Sequence, residues 1–166
     1  MQLTAQQKAT LKSFILADPV LGPKTSGPGT DYAFIANALS SPAAPSYYVW
    51  RTSVSRREIY DGNPQPENSF WSWTFYKNQA VTEQGAWVQM FMGDQADFSK
   101  ANIRTGIAQI FTSAAVVNAT HAFAVGRRLA NALEKLFATG AGSLAAPSVM
   151  TVEGSIDTLE IGGVLA

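Results

Sequence analysis

The side chains able to do chemistry in this chain are few, and their spacing is the first thing to weigh. His121 is the only imidazole, in the run Asn118-Ala119-Thr120-His121-Ala122. A nucleophilic triad needs that ring bonded to a serine and oriented by a carboxylate. No acid lies within four residues of it, so a structural or interface histidine is the stronger reading. One histidine without an H-x-x-H pair, an acidic cluster or a D-x-D-x-D-G loop gives no metal-binding pattern. Glu58, Asp61 and Glu67 lie near Trp71 and Trp73, the raw material of a glycosidase, which needs two carboxylates across a cleft. Ser55 and Glu58 also have capping-box spacing, which accounts for Glu58 without catalysis. Gly140-Ala141-Gly142-Ser143 follows a helical pattern instead of a strand, and Gly22-Pro23-Lys24-Thr25 lacks the leading glycine of a phosphate loop. No catalytic, cofactor or metal residue is assigned, no cofactor is expected, and the chain is expected not to be an enzyme.

Composition points the same way. The 166 residues carry 12 basic and 12 acidic side chains, a charged fraction of 14%, with 46% apolar residues and no cysteine. Disulfides, thiolate metal sites and cysteine nucleophiles are thereby excluded. A sparsely charged surface of zero net charge favours association. The adjacent basic pairs Arg56-Arg57 and Arg127-Arg128 are a thin basis for nucleic-acid binding, which releases counterions from a clustered basic face. No stretch approaches 18 apolar residues, and the opening Met-Gln-Leu-Thr-Ala-Gln-Gln-Lys has no signal-peptide pattern, so neither membrane span nor leader is expected.

The elements that must position these groups read as mainly α: five or six helices, a minor β element and an extended C-terminal arm. A Thr4/Gln7 capping box predicts a helix over 4–16, its stripe formed by Leu11, Phe14 and Ile15. Residues 17–30 form a Pro/Gly-rich loop, and 31–146 a helical body. Thr30 caps a helix to about Leu39, and Tyr47–Thr52 is extended. Ser55 caps a short helix that Asp61-Gly62-Asn63-Pro64 stops. Residues 69–76 read either as a strand burying Trp71, Trp73 and Phe75 or as a helix entrance. Further helices are predicted over 82–92, from a Ser99 cap through Ile110, over 113–125, and over 127–137 with Leu129, Leu133, Leu136 and Phe137 on one stripe. The 147–166 arm reads as a hairpin turning at Gly154-Ser155, with a short terminal helix from Ser155 as the alternative.

Three stretches carry more than composition: Val49-Trp50-Arg51-Thr52-Ser53-Val54-Ser55-Arg56-Arg57-Glu58-Ile59, Ser99-Lys100-Ala101-Asn102-Ile103-Arg104-Thr105-Gly106-Ile107, and Glu134-Lys135-Leu136-Phe137-Ala138-Thr139-Gly140-Ala141-Gly142. In this order they resemble small structural proteins of tailed bacteriophages over residues 46–155, although 63–80 departs from that pattern. The resemblance implies a virion protein of the neck, made in the bacterial host cytoplasm. It would be a head–tail adaptor forming a homo-oligomeric ring, bound to portal and tail proteins, with DNA passing its lumen. A tail terminator, minor tail protein or capsid decoration protein is the alternative within that class, and a small cell-wall hydrolase the alternative outside it. Interface residues expected from low charge and aromatic content are Trp50, Arg51, Trp71, Trp73, Arg127, Arg128, Val152 and Ile156.

Overall fold

The computed structural model describes residues 2–166. In chain order its elements are α1 (Ala5–Ala17), 3-10 turns at Gly22–Lys24 and Gly27–Gly29, α2 (Tyr32–Ser40), β1 (Tyr48–Trp50), β2 (Val54–Ser55) and α3 (Arg56–Asp61). There follow α4 (Trp73–Lys77), α5 (Val81–Met90), β3 (Gln95–Ala96), α6 (Ala101–Ile110), a 3-10 turn at Ser113–Ala115 and α7 (Val116–Val125). The chain ends with β4 (Arg127–Leu129), α8 (Ala132–Leu136), β5 (Ala138–Thr139), β6 (Val149–Met150) and α9 (Thr158–Leu165). The fold is mainly α, with nine helices among the described residues instead of five or six, because several are only five or six residues long.

These elements form two compact units, the sequence of one interrupting that of the other. Residues through Val49 and Leu129–Ala166 make the outer unit, and Trp50–Arg128 the inner one. The outer unit packs α1, α2, α8 and α9 around Leu11, Ile15, Ile35, Leu39, Leu133, Val152, Ile156, Ile161 and Val164, all buried. The Thr4/Gln7 box caps α1 as the sequence predicts; of the expected stripe Leu11 and Ile15 are fully buried, whereas Phe14 is exposed. The cap of α2 is Asp31 instead of Thr30: its Oδ1 accepts the Phe34 N–H at 2.9 Å. Gly142 has φ +63° and faces the Tyr47 ring where a Cβ would stand, so both backbone and space call for glycine there.

Two outer-unit expectations are corrected. The 127–137 helix is interrupted: Arg127–Leu129 is a strand, and α8 starts only after Asn131. An Asn131/Glu134 capping box starts it, and this local bonding overrides the leucine period, leaving Leu129 exposed and Leu133 buried. The C-terminal segment is no extended arm or hairpin about Gly154; the alternative, a short terminal helix, holds, beginning at Thr158 instead of Ser155. Its only strand, β6, pairs antiparallel with β5, Ala138 opposite Met150. It then ends in α9, started by an Asp157/Glu160 capping box and packed on α1 and α2.

The inner unit is built on an aromatic core. Trp87 stacks on Trp71 at 5.2 Å and 25°, and Phe91 and Phe111 meet Trp87 edge-on. Edge-to-face and offset rings gain about 0.5–1.5 kcal/mol beyond their buried area. Helices α3, α5, α6 and α7 enclose this cluster with Ile59, Ile107, Ile110 and Val125. The predicted Ser55/Glu58 box starts α3. Ser99 does not cap α6; its Oγ and N–H both bond Asp97 Oδ1, at 2.5 and 2.9 Å. β2 and β3 pair antiparallel, Val54 opposite Ala96.

Candidate functional site

The inner unit's aromatic segment is where polar chemistry and exposed apolar surface meet. Of the two readings of 69–76 the helix entrance holds and the strand does not: Ser72 Oγ accepts the Phe75 N–H and starts α4, so odd residues do not share a face. Trp71 is buried while Trp73 is 47% exposed and Phe70 75% exposed. Two buried polar side chains of α7, one turn apart, hold this segment. Asn118 Oδ1 accepts the Ser72 N–H at 2.8 Å, and Asn118 Nδ2 donates to the Ser72 carbonyl at 3.1 Å. His121 Nδ1 lies 3.0 Å from Ser69 Oγ, and its Nε2 lies 2.6 Å from the Ile59 carbonyl.

The Ile59 carbonyl can only accept, so Nε2 carries the proton and Nδ1 accepts from the Ser69 hydroxyl. The histidine therefore has the serine that sequence reasoning could not supply, with a backbone carbonyl where a triad has its carboxylate. Ser69 lines a groove of about 280 Å³ with Phe70, Ser72, Phe75, Val117 and Thr120, and no charged residue contributes to it.

The carboxylates expected of a glycosidase are each engaged by a cation. Arg51 bonds Glu58 at 2.5 Å, Arg57 lies 3.4 Å from Asp61, and Arg127 is ion-paired with Glu67. The Ser55 N–H holds the Glu58 carboxyl below its ordinary range; partial burial opposes this, and Arg51 and the Ser55 hydroxyl add to the lowering. A general acid needs the opposite shift. Arg51, Glu58 and Arg127 line a cleft of about 330 Å³ with Asn63 and Gln65, where both arginines are already paired with acids.

The expected interface residues separate into two groups. Trp71, Val152 and Ile156 are buried in the cores of their own units, so they shape the fold and present no contact surface. Trp50 is half-buried against Phe123, with the Arg104 guanidinium 5.1 Å above its ring. Arg51 and Arg127 are committed to the ion pairs above, and Arg128 is half-buried. Trp73 alone keeps substantial exposed aromatic surface, packed on Tyr60 at 4.7 Å. Phe70, the more exposed ring beside it, is absent from the expected contact residues, although the strand parity that buries Trp71 would have turned it outward.

No described helix is long and apolar enough to cross a membrane, and no group of three His, Asp or Glu among the described residues could hold a metal ion. Compared with family models, curated proteins and solved structures, the chain matches none.

Proposed function

We propose that this chain is a structural subunit of a tailed-bacteriophage neck. In this reading it is a head–tail adaptor that assembles with copies of itself into a ring and binds portal and tail proteins. The three motifs spread over residues 49–142 support the phage assignment. The observation that carries the contact role is the exposed pair Phe70 and Trp73 beside an uncharged groove, on a segment fixed by Asn118 and His121. Rigid aromatic side chains are favoured anchors at protein interfaces because they bury much area at little entropic cost. Val81, Met92 and Val116 add exposed apolar surface in the same unit. Zero net charge leaves association unopposed by net like-charge repulsion. The adaptor role consists of binding and needs no chemical step.

Light scattering on the purified chain, and its co-sedimentation with portal or tail complexes, test the reading. A discrete oligomer that pellets with those complexes is expected. A tight monomer that pellets with neither overturns it.

A further inference from the structure

We propose that the inner unit binds single-stranded nucleic acid, with a base stacked on Trp73 and the neighbouring phosphates held by Arg56, Arg57 and Lys77. This goes beyond the adaptor reading and does not depend on it. The Arg56-Arg57 pair alone is a thin basis for such binding; the exposed rings beside it are the second, independent observation. Trp73 is 47% exposed and packs on Tyr60 at 4.7 Å and on Tyr76 at 5.8 Å. Two half-buried tyrosines thus fix the indole while much of it stays open to solvent.

The cations stand beside the same rings. Arg56, Arg57 and Tyr60 line a recess of about 390 Å³ with Ser55 and Asp94. Burial and the neighbouring Tyr60 push the Tyr76 phenol above its ordinary range, and the Arg56 charge opposes the rise, which puts Arg56 within electrostatic reach of these tyrosines. Lys77 is exposed and follows Trp73 by four residues on α4, so the two share a helix face. Arg57 lies 3.4 Å from Asp61, a solvent-exposed pair that holds it weakly, and Asp94 is the acid of the recess. Among the described residues neither Arg56 nor Lys77 has an ion-pair partner.

This combination selects the ligand. An acidic peptide would answer the cations and leave the rings bare, and a neutral sugar would cover a ring and leave the cations bare. A nucleic-acid strand alternates planar bases with phosphates and uses both. A duplex keeps its base faces inside its own stack, so an open ring calls for an unpaired strand.

Fluorescence anisotropy of labelled oligo(dT) and oligo(U), each of about 12 nucleotides, tests this on the full chain. Binding of either strand is expected, and comparison of the two tells whether DNA or RNA is preferred. Three phosphate contacts predict roughly a 15-fold loss of affinity between about 50 and 200 mM salt. In Arg56→Ala/Lys77→Ala that loss is expected to shrink to about 3-fold, with the oligomeric state unchanged by light scattering. Trp73→Ala is expected to weaken binding about 5-fold or more, the scale of one stacked base. No binding at the lower salt, equal binding of a duplex or of poly-glutamate, or an unchanged salt response in the folded double variant overturns the proposal. Should Trp73→Ala fail to fold, the charge variants and the duplex comparison still decide.

Discussion

Asn118 grips both backbone groups of Ser72, accepting its N–H and donating to its carbonyl, from a side chain with no exposed surface. The amide thus substitutes for a strand partner at the point where the chain turns from an extended run into α4. Leucine is close in size and can do neither job. Asn118→Leu should leave the Ser72 N–H without a partner, at about 1–3 kcal/mol for a buried group, while the Ser72 carbonyl keeps the Tyr76 N–H at 3.1 Å. Urea unfolding is expected to show the loss, and hydrogen exchange should quicken at Ser72 before α6 is affected.

Trp71 and Trp73 are two residues apart and should behave as opposites. Trp71→Ala empties the centre of the aromatic core and is expected to cost about 3–5 kcal/mol. Trp73→Ala and Phe70→Ala remove exposed rings, so the chain should keep its unfolding midpoint within a few degrees while oligomer formation weakens. Light scattering beside thermal unfolding separates the two behaviours. Loss of assembly only in variants that also unfold would count against this surface as the contact.

Glu134 is buried and accepts the N–H of Gly154 at 2.8 Å and that of Asn131 at 3.1 Å. Asn131 Nδ2 returns a bond to the Gly154 carbonyl at 2.9 Å, so the start of α8 and the 154 turn are tied together. Glu134→Ala should destabilise the outer unit by about 3 kcal/mol, since bonds to a charged group count for more than neutral ones. Gly154 amide exchange is expected to rise most.

Glu58 carries a pH dependence with a definite sign. Its carboxyl titrates lower folded than unfolded, chiefly through the Ser55 N–H. Its contribution is therefore present above the ordinary carboxylate range and disappears as pH falls through the lowered folded value. Glu58→Gln should be less stable than wild type at pH 7, and the gap should close in strong acid. Because Glu58 is 44% exposed, solvent screens the pair and the gap is expected to be small. Denaturant midpoints at both pH values check it.

Local signals were legible and distant ones were not. The Thr4/Gln7 and Ser55/Glu58 boxes need only residues three apart, and both helices begin where those residues stand. The same logic applied to Asn131/Glu134 and Asp157/Glu160, but the leucine period over 127–137 and the alternation after Val149 concealed them. Parity in 69–76 fits a strand as well as a helix entrance, and only the Ser72 cap distinguishes them. Ser69 and His121 are 52 residues apart, and no period or motif connects them. Trp71, Val152 and Ile156 had the composition of contact residues; only the packing of helices distant in sequence shows that they are interior.

The insertion of one unit's sequence within the other's sets the order in which their residues leave the ribosome. Leu11, Ile15, Ile35 and Leu39 emerge first, but the α8 and α9 residues that cover them come only after Trp50–Arg128 has been made. At ribosomal elongation rates that interval is roughly 4–16 s, ample for a small domain to fold. The later-made middle can therefore fold while the beginning still waits with its apolar stripe bare, and that stripe is what a chaperone would meet on the nascent chain.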